Sequence, residues 1–155
     1  YHYYDSKLAI LFEILDNYLS RLRGRVIAIE LDISDVHGSL EALFAEILNA
    51  YEGMDDEHKI QTEGIPLLPE GQQTILKGYQ RDMVHHLEAF LSAANENLKS
   101  DPQALRAATM SVFGMLNWFY MWNTRNDADG RATYAKTVAA MTIGGVPKLR
   151  GFYKT

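Results

Sequence analysis

Apolar residues recur along most of the chain with the spacing of one face of an α-helix. From Leu8 to Val26 they fall at i, i+3, i+4 and i+7, the period of an amphipathic helix. Asp5 or Ser6 can cap the start of this helix. The strand-like run 26–31 has no partner strand elsewhere in the pattern, so we read it as the helix end or a buried loop.

The same period predicts further helices downstream. The predicted spans are about 34–53, 69–98, 101–123 and 131–143, with a short polar helix and then a loop in 54–69. Gly53 suits a helix end, and Pro66 and Pro69 stop any helix between the second and third spans. Asp101 followed by Pro102 is an N-cap with proline at the first helical position. The pattern therefore predicts an all-α chain, an antiparallel helical bundle of five to six helices.

Composition narrows the class of protein. A chain of 155 residues is expected to form one domain. It contains no Cys, which excludes a disulfide framework, a thiolate nucleophile and a zinc–thiolate site. No run reaches the roughly 18 apolar residues of a membrane span and none resembles a signal peptide, so we expect a cytoplasmic protein. The net charge of -5 makes the bulk of the chain a poor nucleic-acid binder.

The motifs needed for catalysis are missing from the sequence. A diiron bundle needs a Glu-x-x-His step on two helices, and this chain has only the reversed His85-x-x-Glu88. There is no Gly-x-Ser-x-Gly elbow, and Gly144-Gly145 follows a helix rather than opening one as a phosphate loop would. We therefore predict no catalytic residue, no metal and no cofactor.

Two helical segments combine apolar surroundings with polar side chains. The run 113–122 is rich in aromatic residues and Met, and Asn117 is its only strongly polar side chain. Such a run is typical of a core helix that also faces an interface or an adaptable pocket. His86 falls within an apolar stripe and should point inward. It is either a core histidine bonded to a backbone carbonyl or a polar anchor in a ligand cavity.

The opening residues resemble a junction in the tetracycline-repressor family of transcription regulators. The family pattern Tyr-x-aromatic-aromatic-x-Ser-Lys is matched by Tyr1, Tyr3, Tyr4, Ser6 and Lys7. In that family the aromatic residues close the recognition helix of a helix-turn-helix, and the Lys often touches a DNA phosphate. The resemblance implies that Tyr1, Tyr3 and Lys7 are the DNA-proximal residues here.

A second stretch is similar to one branch of the same family. Gly114-Met115-x-Asn117-Trp118, with Trp122, resembles regulators of fatty-acid, steroid and aromatic-acid catabolism, several of which sense acyl-CoA thioesters. The resemblance implies a ligand-responsive transcriptional repressor whose effector is hydrophobic or of the acyl-CoA type. The alternative is a helical carrier or sensor of a hydrophobic small molecule with no role on DNA.

The resemblance also implies an organisation and a set of partners. Residues 1–5 would be the remnant of the recognition helix, 6–147 the ligand-binding and dimerisation domain, and 148–155 a tail. The homodimer would form through the last two helices, which make a four-helix bundle, and DNA would bind through a preceding helix-turn-helix. An effector between the helices would tilt the first helix and release DNA.

Inward-facing stripes supply the candidate ligand-binding residues. These are Phe12, Met83, His86, Phe90, Met110, Phe113, Asn117 and Trp118. Lys77 or Arg81 can meet an anionic head group at a pocket mouth, with plain surface as the alternative for each.

Overall fold

The computed structural model describes residues 2–149, which form a helical bundle. Its α-helices are α1 (His2–Ile27), α2 (Val36–Ala50), α3 (Asp55–Gly64), α4 (Glu70–Ala94), α5 (Pro102–Trp122) and α6 (Ala128–Gly145). Short 3-10 helices span Ile33–Asp35, Ile65–Leu67, Glu96–Ser100 and Val146–Lys148. Residues 2–149 contain no strand, so the all-α prediction is confirmed.

The first helix begins earlier than predicted. Asp5 and Ser6 lie inside α1 and are exposed, so the prediction that one of them caps the helix is wrong. Nothing in the preceding residues breaks a helix, and a polar pair suits an exposed helix face as well as a cap. α1 ends at Ile27, and Ile29 and Leu31 then pack against the core from a loop, as one reading of this run proposed.

Side-chain caps fix the ends of the later helices. The Asp101 carboxylate accepts a hydrogen bond of 3.1 Å from the Ala104 backbone N–H, which confirms the predicted start of α5. α4 ends at Ala94 rather than Leu98, because Asn95 adopts an extended conformation and bonds to the next turn. The predicted start of the last helix was three residues late.

The start of α6 depends on an Asp cap and a close backbone approach. Asp127 accepts a hydrogen bond of 2.7 Å from the Gly130 backbone N–H. That bond is the main reason the pKa of Asp127 lies below its ordinary value. A Cβ at Gly130 would lie 2.1 Å from the Arg125 backbone oxygen, so this turn requires glycine.

The core lies between two helix pairs. α6 packs most extensively on α2, and α1 packs mainly on α4, with α5 closing the bundle. Ala135, Val138 and Ala139 of α6 are fully buried, and small side chains at two of these positions let the helices approach closely. The largest fully buried side chains are Phe44, Phe90, Leu15, Leu19, Leu40, Leu43, Ile47, Leu48, Leu76, Leu87, Leu91 and Leu98. Burying each such side chain contributes about 1.5–3 kcal/mol.

Candidate functional site: an amphipathic cavity

A cavity of about 650 Å³ lies among five of the helices. This volume is typical of a site for a small organic ligand. Its wall is formed by Leu19, Leu22 and Val26 from α1, Ile47 from α2, Tyr51 from the end of α2, His58 and Gln61 from α3, Lys77, Gln80, Arg81, Met83, Val84 and His85 from α4, and Arg106, Met110, Phe113 and Asn117 from α5.

The inner wall is apolar. Leu19, Leu22 and Val26 are spaced so that they share one face of α1, and all three are buried. Met83 of α4 and Phe113 of α5 complete this wall. The same α1 face that packs into the core therefore also forms one side of the cavity, so an occupant would touch α1 directly.

A hydrogen-bonded pair presents a polar group to the cavity. The Tyr51 hydroxyl donates to Asn117 Oδ1 at 2.6 Å. Burial raises the pKa of Tyr51, which keeps the phenol protonated and donating. Among the described residues, no hydrogen bond uses Asn117 Nδ2, so this amide N–H₂ can donate to a ligand oxygen.

A second polar chain runs along α3. His58 Nδ1 lies 3.0 Å from the Tyr18 hydroxyl and 3.2 Å from Gln61 Nε2. Two donor groups at Nδ1 favour the tautomer with its proton on Nε2. Desolvation lowers the pKa of His58, so the ring is neutral at pH 7. Gln80 Nε2 donates to Gln61 Oε1 at 3.0 Å and links the chain to α4.

The outer part of the cavity is positively charged. Lys77 and Arg81 of α4 and Arg106 of α5 line it and are exposed. No carboxylate lines the cavity among the residues that the structure describes, although the whole chain carries a net charge of -5. On α4, Asp82 is held by Arg23 at 2.6 Å and Glu88 by His85 at 2.9 Å. Asp82 is therefore bonded to α1, whereas Glu88 is bonded to a histidine of the cavity wall.

Four of the eight candidate ligand-binding residues line this cavity, namely Met83, Met110, Phe113 and Asn117. The other four lie outside its wall. Lys77 and Arg81, considered for a pocket mouth, both line it.

The four candidates outside the wall have other surroundings. His86 Nε2 donates to the Ile29 backbone carbonyl at 2.8 Å, and its ring packs against Phe90 with centroids 5.1 Å apart. This is the arrangement of a core histidine bonded to a backbone carbonyl. Phe12 is half-buried against the core, and Trp118 is 58% exposed on the outer side of α5.

Sequence reasoning missed the polar residues that α2 and α3 contribute. Neither Tyr51 nor His58 is among the candidate ligand-binding residues, although both line the cavity. The spacing of His58 and Gln61, one turn apart on a short helix, was the available signal. Arg106 lies outside the aromatic run 113–122 on which the prediction for α5 depends, and no motif in the sequence marks it as a ligand-binding residue.

The outer face of α5 and α6 is apolar and exposed. It consists of the side chains Trp118, Met121 and Trp122 of α5 and Met141 of α6, each more than half exposed. Small residues, Ser111 and Gly114, lie in the same exposed region of α5. Large apolar side chains on exposed helix faces are typical of a protein–protein contact.

The DNA-proximal candidates lie at the start of the chain. Tyr3 and Lys7 are exposed on the first turns of α1, with Lys7 Nζ 4.6 Å from the centre of the Tyr3 ring. Tyr1 lies outside the described residues, as does most of the predicted tail.

Within 2–149, no group of three or more His, Asp and Glu side chains is placed to hold a metal ion. None of the helices within 2–149 combines the length and the hydrophobicity of a membrane span.

Comparison with known proteins decides the family. The model of the tetracyclin repressor-like C-terminal domain matches residues 35–146, which is most of the chain. The chain belongs to the tetracycline-repressor family. The resemblance drawn from the opening motif is thereby confirmed at the level of the family. Members of this family are transcription regulators that act as dimers and bind DNA and small-molecule effectors.

Solved structures of tetracycline-repressor-family regulators share the fold. A regulator from Bordetella parapertussis has a TM-score of 0.77 and 23% identity, and the match covers 97% of this chain and 79% of that one. The regulator PfmR from Thermus thermophilus has a TM-score of 0.72 and 22% identity, with 97% and 81% covered. At these identities the likeness concerns the fold alone. No curated protein matches this chain.

Proposed function

We propose that the chain is the ligand-binding and dimerisation domain of a transcriptional repressor, and that filling the cavity releases DNA. In this proposal residues 6–147 form the regulatory domain, and a helix-turn-helix that ends near residue 5 reads DNA in the cytoplasm. Tyr1, Tyr3 and Lys7 are then the residues nearest to DNA. Family membership supports the class of protein, and the cavity supports the response to a ligand.

The observation that carries the proposal is the presence of α1 in the cavity wall. Leu19, Leu22 and Val26 face the space that a ligand would fill. α1 is also continuous from His2, the end of the chain where the DNA-reading module would attach. A ligand that displaces α1 therefore changes the position of whatever precedes it.

The energy needed is modest. A ligand that favours the non-binding position of α1 by about 2.7 kcal/mol lowers DNA affinity roughly a hundredfold. Burial of about three or four more methylene groups in that position of α1 than in the DNA-binding position is enough, since each buried methylene is worth about 0.8 kcal/mol.

The exposed apolar face of α5 and α6 supports a dimer. We propose that Trp118, Met121, Trp122 and Met141 pack against the same residues of a second copy, forming a four-helix bundle. Two copies would then present two recognition helices to successive major grooves. Trp118 would serve this contact rather than the ligand.

The cavity supports a hydrophobic effector of the acyl-CoA or free-acid type. Its inner wall suits an acyl chain, and the free Asn117 N–H₂ suits a carbonyl or carboxyl oxygen. We assign ligand contact to Met83, Met110, Phe113 and Asn117. His86 and Phe90 then support the wall from behind.

A blocked cavity tests the proposal. Met110 lines the cavity and is 46% exposed, so Met110→Trp adds bulk at the cavity without disturbing the core. The matched control is Ile75→Trp on α4, which is 47% exposed and does not line the cavity. Ligands that raise the melting temperature of the wild type should no longer do so in Met110→Trp.

DNA release gives the functional readout. In a protein that carries this chain after its helix-turn-helix, the same ligands should release operator DNA from the wild type and from Ile75→Trp, but not from Met110→Trp. Ligand binding without any DNA binding would instead favour a helical carrier. Equal ligand binding by Met110→Trp and the wild type would contradict the assignment of the cavity.

A further inference from the structure

We infer that the effector is an amphipathic anion, whose apolar part lies against α1 and whose negative group lies between α4 and α5. Lys77, Arg81 and Arg106 would hold that group. The inference deepens the proposed function and rests on it. It excludes neutral and cationic hydrophobic molecules as preferred ligands.

The arrangement of charge in the cavity is the first observation. All three side chains are exposed at its outer part, whereas the apolar residues Leu22 and Met83 are buried. A ligand with one charged end and one apolar end matches this division. The reverse orientation would place a charge against the buried apolar wall, where it loses its hydration and gains no partner.

The lack of competing carboxylates is the second observation. In a chain with 20 acidic and 15 basic residues, a cavity lined by three cations and no described carboxylate departs from the average surface. The α4 carboxylates nearest in sequence, Asp82 and Glu88, are paired with Arg23 and His85. Three lining cations without a lining carboxylate favour an anion at the cavity mouth.

The hydrogen-bonding state of the cations is the third observation. Lys77 Nζ donates only to Gln73 Oε1 at 3.1 Å, and no ion pair within residues 2–149 uses Lys77, Arg81 or Arg106. Guanidinium groups bind carboxylate or phosphate oxygens in a bidentate manner. The donors are thus available, and a carboxylate or a phosphate would satisfy them.

This chemistry has two sources, which an experiment can separate. A free acyl acid carries its charge on a carboxylate, and an acyl-CoA thioester carries it on phosphates beyond the thioester. We would measure the Kd for dodecanoate, dodecanoyl-CoA, dodecanol and dodecyltrimethylammonium, all below their micelle-forming concentrations, by calorimetry. At least one anion should bind at least tenfold more tightly than dodecanol, and the ammonium compound should bind most weakly.

Matched variants locate the effect. The triple variant Lys77→Gln, Arg81→Gln, Arg106→Gln should weaken binding of the preferred anion at least tenfold and change the Kd of dodecanol less than twofold. The control Lys99→Gln, Lys136→Gln, Lys148→Gln removes three exposed positive charges that do not line the cavity, and should bind like the wild type. Raising the ionic strength should weaken binding of the anion but not binding of dodecanol.

The outcomes are distinguishable. If dodecanol binds the wild type as tightly as either anion, or if the triple variant keeps its affinity for the anion, the inference is overturned while the ligand cavity stands. If none of the four molecules binds the wild type, the proposed effector class fails with it. Retained dodecanol binding by the triple variant shows that it is folded. If the triple variant unfolds, we would use the three single variants instead. Each should weaken binding of the anion about threefold or more.

Discussion

The contact between α1 and α4 differs from the contact between α2 and α6. α1 and α4 are joined by Arg23–Asp82 at 2.6 Å and by the Tyr79 hydroxyl, which donates to Asp16 at 2.9 Å. The side chains of that ion pair are about 40% exposed. α2 and α6 are joined by Arg131, which is only 5% exposed.

Arg131 has a polar partner at each of the three nitrogens of its guanidinium group. Its Nε donates to Asn49 Oδ1 at 2.9 Å, and its Nη1 donates to the Asn126 backbone oxygen at 3.1 Å. Its Nη2 lies 3.2 Å from a carboxylate oxygen of Glu52. A buried cation with partners at all three nitrogens is costly to move, whereas half-exposed ion pairs contribute little and re-form easily.

We expect the α1–α4 side of the molecule to change shape more easily than the α2–α6 side. The cavity borders the α1–α4 contact, and its wall holds three α1 residues and none from α6. We expect α2 and α6 to act as a fixed frame, with α1 shifting against it when the cavity fills.

Removal of Arg131 should destabilise the fixed frame most. Arg131→Ala leaves buried hydrogen-bond acceptors without a donor, and we expect the free energy of unfolding to fall by about 2–3 kcal/mol. Urea denaturation at pH 7 measures this. Lys99→Ala, which removes an exposed cation, is the control and should unfold like the wild type. Equal urea midpoints for the wild type and Arg131→Ala would show that Arg131 does not make the α2–α6 contact the more rigid one.

Enlargement of a small residue in the same frame should have the next largest effect. Ala139 is fully buried on α6, and Ala139→Leu would force the helices apart at a cost of about 1–3 kcal/mol. Ala140→Leu, at the next and exposed position, should leave stability nearly unchanged. Thermal melts of the two variants decide the matter, and equal melting temperatures would show that α6 is not tightly packed there.

Breaking the ion pair between α1 and α4 should alter the response more than the stability. Arg23→Gln should cost at most about 1 kcal/mol of unfolding free energy, since both partners are exposed to solvent screening. The same change should shift the ligand concentration that releases DNA, because it alters the balance between α1 positions. The reversed pair Arg23→Asp, Asp82→Arg should restore the wild-type response. If Arg23→Gln lost as much stability as Arg131→Ala, the α1–α4 contact would be as rigid as the α2–α6 contact, contrary to our expectation.

Acid should loosen the α3 side of the cavity slightly. The pKa of His58 is held below its ordinary value of 6.5 by burial, so the folded state takes up a proton less readily than the unfolded chain. The contribution of His58 to stability is therefore constant above pH 6.5 and falls as the pH drops below that value. His58→Gln should show a smaller loss of unfolding free energy than the wild type between pH 7 and 5.5. If the unfolding free energies of the wild type and His58→Gln fell in parallel with pH, the pKa of His58 would not be lowered by burial.

The helices followed from the sequence because their signals are local. Apolar spacing and the Asp101–Pro102 cap need no knowledge of the fold, and α5 begins where they indicate. The start of α1 did not follow, since Asp5 and Ser6 suit an exposed helix face as well as a cap. Asp127, the cap of α6, was hidden in a polar linker where several residues could cap equally well.

Only part of the cavity followed from the sequence, because periodicity shows that a residue faces inward but not what it meets. His86 and Phe90 face inward and meet a loop and the core. Met83 and Asn117 also face inward, but they line the cavity. The contribution of α3 depends on where this polar helix docks, which its own pattern does not encode.

Spin labels give the most direct test of a shifting α1 on a fixed frame. The chain has no Cys, so labels at Glu13→Cys and Ala42→Cys report the α1–α2 distance without further changes. Labels at Ala42→Cys and Lys136→Cys report α2–α6, in protein diluted with unlabelled chain. On saturation with whichever of dodecanoate and dodecanoyl-CoA binds more tightly, electron–electron double resonance should show a changed first distance and an unchanged second one. Two unchanged distances, or a change in the α2–α6 distance alone, would contradict the account.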